Sequence, residues 1–190
     1  MKILVMKFGG TSVADLTRIK KVASIIQQKT NKYKIIAVLS AMAGTTDDLQ
    51  KYIDKIGTNN SSDSDLIITA GEQVSVGLLS MILNKMKIKS LPMLGWQIPI
   101  VTDNTYGKAR ILEIKNKILI NRLNNFDVII IAGFQGISVE GKISSLGRGG
   151  SDTTAVAIAS ALKAERCDIY TDVDGVYSTD PNIDQKAKKI

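Results

Sequence analysis

From Val128 to Ala132 the chain reads Val-Ile-Ile-Ile-Ala, with Asp127 before the run and Gly133 after it. A strand sends alternate residues to opposite faces, so a run with no polar member needs apolar cover on both sides. Similar runs recur as ILVMKF (Ile3–Phe8), KIIAVLS (Lys34–Ser40), SLPML (Ser90–Leu94), IPIVTD (Ile98–Asp103) and CDIYTDV (Cys167–Val173). Together they predict an α/β fold with a mainly parallel sheet covered on both faces.

The segments between the runs carry helical periodicity. Val13, Leu16, Ile19, Ala23 and Ile26 fall on one stripe, Val74, Leu78, Met81, Ile82 and Met86 on a second, and Ile111, Ile114, Ile118 and Leu119 on a third. Helices therefore occupy the crossovers. SDTTAVAIASALKAE, from Ser151, opens with hydroxyl and acidic residues suited to an N-cap and then turns apolar on nearly every side, as a buried helix does. Gly57–Asp65 reads as a polar loop, and the end of the chain as irregular and basic. There is no internal repeat and no linker, so the 190 residues read as one domain.

The net charge is +7, but the lysines are scattered and aromatic residues make up only 5% of the chain, which argues against a nucleic-acid partner. A lone cysteine, Cys167, excludes an internal disulfide and fits a reducing compartment. Lys7 interrupts the opening apolar run before a signal sequence can form, and no apolar run approaches membrane-spanning length. The expectation is a cytoplasmic protein without a membrane partner.

In open α/β sheets ligands gather at the carboxyl ends of the strands. Four small or polar clusters follow the apolar runs here: Lys7–Gly10, Ser40–Thr46, Gly133–Gly136 and Thr171–Gly175. Lys7, Gly9, Gly10, Thr11 and Ser12 suit a phosphate site, because small residues let backbone N–H groups face an anion beside a full positive charge. The spacing matches neither common nucleotide fingerprint, and taken alone the stretch is better accounted for as a strand-to-helix turn. LGRGGSDTTAVAIA (Leu146–Ala159) is more informative. Arg148 between glycines has the fork that holds a carboxylate through two hydrogen bonds, and Ser151 and Asp152 begin a helix.

With these residues in view, the chain resembles the catalytic domain of the aspartokinases, members of the amino-acid kinase fold. The resemblance rests on KFGGTSVAD, VLSAMAGTTDDL, TAGEQVSVGLL, LGWQ, IAGFQGI, LGRGGSDTTAVAIA and IYTDVDGVYSTDP, in family order across essentially the whole chain. It implies a three-layer α/β/α sandwich. It also implies transfer of the γ-phosphoryl group of ATP, carried with Mg²⁺, to the side-chain carboxylate of L-aspartate. Lys7 would meet the transferred group, with Phe8, Gly9 and Gly10 at the phosphates. Ser40 and Thr46 would line the aspartate pocket, Glu72 would receive the ammonium, Arg148 and Ser151 would hold the carboxylate, and Asp152 would organise the active-site lysines. Thr171, Asp172 and Tyr177, with Asp180 and Pro181 in the same segment, would contact the nucleotide. No metal-ligating cluster is expected.

The nucleophile implied is already ionised at neutral pH, so a chain with no histidine lacks nothing for the reaction. Two departures stand out. Asn182 occupies a position where family members usually carry arginine, and the chain stops at Ile190, where the family continues to a second active-site lysine and paired ACT domains. The expectation is a catalytic domain incomplete at its C-terminal end, nearly inactive alone, from a protein that is a homo-oligomer at full length. The alternatives are an acetylglutamate or glutamate kinase, or an inactive nucleotide-binding or interaction fragment.

Overall fold

The computed structural model describes residues 1–171. Five strands, β1 (Ile3–Phe8), β2 (Lys34–Leu39), β3 (Ser90–Met93), β6 (Val128–Ala132) and β9 (Arg166–Tyr170), form one sheet in the order β3-β6-β2-β1-β9. Every pairing in it is parallel. The register Leu4↔Ile35↔Val128 keeps side chains of one face in line, so the apolar runs divide cleanly between two cores.

On one face Leu4, Met6, Phe8, Ile35, Ala37 and Leu39 meet α1 (Leu16–Thr30) and α4 (Ala70–Lys85). On the other, Ile3, Val5, Ile36 and Val38 meet α5 (Asn116–Leu123) and α6 (Gly150–Ala161). This is the three-layer α/β/α arrangement, and the absence of polar residues from β6 follows from it.

A second sheet, absent from the sequence-based expectation, runs β5-β4-β7-β8. Its strands are β4 (Ile100–Thr102), β5 (Ile111–Ile114), β7 (Gln135–Ser138) and β8 (Ile143–Ser145). The IPIVTD run therefore belongs to this sheet, and the expected third helix starts only at Asn116, because Ile111–Ile114 pairs antiparallel with β4. Two other boundaries shift. Helix α2 covers Thr45–Ile56, and α3 starts at Ser62, inside the expected loop, where Ser61 and Ser64 form a reciprocal capping box.

The periodic stripe on α4 is only partly its buried face: Leu78, Ile82 and Met86 pack against the core. Val74 and Met81 are exposed, whereas Glu72, Ser75, Val76, Leu79, Ser80 and Leu83 are buried. The helix is apolar on both sides, so periodicity alone could not choose between them. Leu16 is exposed for a related reason, at the very start of α1. The helical stretch Ser62–Lys85 reaches the length and apolarity of a membrane span, against the sequence expectation, with 44% of its most apolar window buried inside the molecule.

Gly136 joins the two architectures, following the turn out of β6. A Cβ there would lie 2.5 Å from the Ile100 carbonyl oxygen and 2.7 Å from Thr102 Cγ2. Gly136→Ala should therefore force β4 from β7 and lower unfolding stability by about 1–3 kcal/mol. Urea denaturation checks this, and a midpoint equal to that of the wild type would contradict the close packing.

Candidate active site

The carboxyl ends of β1, β2 and β6 open into a cleft of about 340 Å³. Lys7, Gly10, Ser40, Thr46, Glu72, Arg148, Ser151 and Asp152 all line it, although they come from segments far apart in the chain. Phe134, Met42 and the glycines around Arg148 complete the wall. Helix and turn starts converge here without side-chain caps: Gly9 precedes the short 3-10 turn Gly10–Val13, Gly44 precedes α2, and Gly149 precedes α6. Uncapped first turns offer N–H groups and the positive end of the helix dipole to an anion.

Lys7 sits next to the end of β1 on the α6 side. Its Nζ lies 2.7 Å from Asp152 Oδ1, an ion pair between a buried ammonium and a carboxylate whose side chain is 47% exposed. Asp152 lies in the first turn of α6, as Ser151 does; the cap itself is Gly149, not the hydroxyl residue expected from the sequence. Gly149 and Gly147 both have φ near +74°, the left-handed region that glycine enters without strain, and this lets the loop turn Arg148 outward. Arg148 is exposed at the cleft and has no acidic partner among the described residues.

Glu72 is the opposite case. It is 3% exposed in the first turn of α4. Its Oε1 accepts the Ala41 N–H at 3.0 Å, and its Oε2 has no partner. Burial pushes this carboxyl up to about 7, against hydrogen bonds from the Ala41 and Glu72 backbone that favour the charged form. Gly71 permits the approach: a Cβ there would lie 2.7 Å from Ala41 Cβ.

Other expected positions lie differently. Phe8 does not reach the cleft; its ring is buried in the core and stacks on Tyr170 with centroids 4.6 Å apart. Gly9 donates its N–H to the Tyr170 carbonyl and lies under Lys7 Nζ. Thr171 is at the end of the described chain, and Asp172, Tyr177, Asp180 and Pro181 fall outside the described residues. Among the described residues no three His, Cys, Asp or Glu side chains are grouped to hold a metal ion. Sequence reasoning missed Asp65 and the role of Gln135. Gln135 is buried, donates from Nε2 to the Thr69 carbonyl and accepts the Gly95 N–H, and so ties the start of α4 to the loop after β3. A polar residue directly after an apolar run was the only signal for it.

The sequence profile of the amino acid kinase family matches residues 2–190. An aspartokinase of Bacillus sp. (strain MGA3) is 46% identical over the whole chain, which corresponds to 47% of that protein. The structure of E. coli aspartokinase III with aspartate and ADP superposes with a TM-score of 0.84 at 29% identity, covering 100% of this chain and 53% of that one. T. acidophilum isopentenyl phosphate kinase shares the fold, with a TM-score of 0.65 at 16% identity over 98% of this chain and 77% of its own. The chain thus spans about half the length of the curated aspartokinases it matches.

The raised Glu72 carboxyl sets a direction for pH dependence. A group that binds its proton more tightly folded than unfolded stabilises the fold below its unfolded value near 4.5 and loses that contribution as pH rises through about 7. Wild-type protein should therefore lose stability relative to Glu72→Gln between pH 5 and 8, by an amount on the order of a few kcal/mol at most. Denaturant unfolding at the two pH values measures it, and parallel profiles would contradict the assignment.

Proposed function

The chain belongs to the amino acid kinase family, and from that premise we propose that it is the catalytic portion of an aspartokinase, passing the γ-phosphoryl group of Mg-ATP to the side-chain carboxylate of L-aspartate. The observation that carries this reading is the charge arrangement of the cleft. A buried carboxyl with one oxygen unpartnered and an exposed guanidinium without an acidic partner line the same space as Lys7. A zwitterionic amino acid satisfies both: its ammonium goes to Glu72 and its α-carboxylate to the Arg148 fork and Ser151. The side-chain carboxylate, steered by Ser40 and Thr46, then faces the phosphoryl group.

In the transfer, a carboxylate oxygen of aspartate forms a bond to the γ-phosphorus while the bond from that phosphorus to the bridging oxygen breaks. The products are 4-phospho-L-aspartate, an acyl phosphate, and ADP. No proton moves, so no general base is needed. The obstacle is bringing an anion up to a polyanion, and it is met by Lys7 and by the positive ends of the uncapped turns that start at Gly10 and Gly150. Asp152 holds the ammonium of Lys7 in place until a phosphate oxygen competes for it. Mg²⁺, travelling with the nucleotide, neutralises phosphate charge when bound.

Acceptor choice tests the reading. With Mg-ATP and hydroxylamine as trap, L-aspartate should give a hydroxamate and N-acetyl-L-glutamate none. Calorimetric titration in the presence of ADP should rank the two acceptors the same way even where turnover is slow. Preference for N-acetyl-L-glutamate in both would overturn the proposal. Arg148→Lys keeps the charge and loses the fork, so L-aspartate affinity should fall roughly ten- to hundredfold with ADP affinity unchanged. An unaltered aspartate titration would remove Arg148 from the site.

A further inference from the structure

Glu72 and Arg148 are carried by separate elements, and one buried side chain joins those elements. Asp65, in the middle of α3, is 2% exposed. Its carboxylate accepts the Gly107 N–H at 3.0 and 3.1 Å, the Ser145 N–H at 2.6 Å and the Ser145 hydroxyl at 2.8 Å. Its backbone carbonyl accepts the N–H and hydroxyl of Thr69, the residue that ends α3 and begins α4. Glu72 follows Thr69 by three residues, and Arg148 follows Ser145 by three. The loop at Gly107 supports the same place from outside, since a Cβ on Gly147 would lie 3.1 Å from the Gly107 carbonyl oxygen.

We propose that Asp65 is a positioning residue that sets the separation of Glu72 and Arg148, and so the size of amino acid the cleft accepts. This rests on the proposed function above. A carboxylate suits the task because all of its contacts there are donors, and charge-assisted bonds to a buried anion are stronger than neutral ones. Its partners are Gly107, Ser145 and Thr69 and not Lys7, Gly10 or Asp152, so its effect falls on the acceptor side.

The test compares the wild-type chain with Asp65→Asn and Ser145→Ala by calorimetric titration of L-aspartate and, separately, of ADP. Asp65→Asn keeps the shape but turns one acceptor into a donor facing donors. L-aspartate affinity should fall about tenfold or more while ADP affinity stays within about twofold, a split that general loss of stability does not produce. Equal loss for both ligands, or aspartate affinity within about twofold of wild type, would overturn the proposal. Should Asp65→Asn fail to fold, Ser145→Ala removes a single donor, and the same split, on the order of threefold, is expected of it; no change would overturn the proposal. If the wild type binds ADP but no L-aspartate, the proposed function fails on its own. Amide exchange over residues 146–150 then decides the positioning role in whichever variant is folded. Exchange there faster by about tenfold, with β2 unchanged, supports it, and an unchanged rate overturns it.

Discussion

The cleft is organised around a buried ammonium. Lys7 is the only charged residue in β1, a strand paired on both sides and otherwise packed in apolar contacts. Burying such a charge costs several kcal/mol unless a partner stands close with good geometry. Asp152 Oδ1, 2.7 Å away, supplies the counter-charge from the first turn of α6, where the helix dipole favours negative charge, although the contact falls short of hydrogen-bond geometry. The ion pair therefore fixes where α6 must begin. That start requires Gly149 in a left-handed conformation and brings the Arg148 loop to the same edge of the sheet.

Glu72 places a second constraint on the cleft, in the opposite direction. Its Oε1 accepts the Ala41 N–H, but its unpartnered Oε2 is an electrostatic cost in the free protein, and the buried Val76, Leu79 and Leu83 of α4 offer it no counter-charge. A buried carboxyl without a counter-charge is better explained by what arrives than by what is present. The surrounding network of Asp65, Thr69 and Gln135 spends hydrogen bonds on holding α4 and the loop after β8 at fixed positions. Such support keeps two charged groups in register for a ligand that must meet both.

The central sheet was legible because its inner strands β1, β2 and β6 are buried on both faces and read as continuous apolar runs. The second sheet was not, because Ile111–Ile114 alternates too weakly to separate a short strand from a helix turn, and β7 and β8 are rich in small polar residues. On α4 the visible stripe was only partly right because the most buried face carries Glu72, which lines the site, Ser80, which bonds Ser90, and Ser75, so polarity there does not mark exposure. Within the site, Lys7, Glu72 and Arg148 were readable from their motifs. Asp65 was hidden in a serine- and aspartate-rich segment that looked like solvent-facing loop, and only its long-range bonds to Gly107 and Ser145 distinguish it.

On the proposed function, the Lys7–Asp152 pair forms the floor of the nucleotide and phosphoryl site. Amide chemical-shift mapping on ¹⁵N-labelled protein titrated with Mg-ATP addresses it most directly, because it needs binding and no turnover. The largest shifts should fall on Lys7, Gly9, Gly10 and the first turn of α6 from Gly150 to Asp152. Shifts clustered elsewhere, such as around Arg122 at the end of α5, with these residues unmoved, would contradict it.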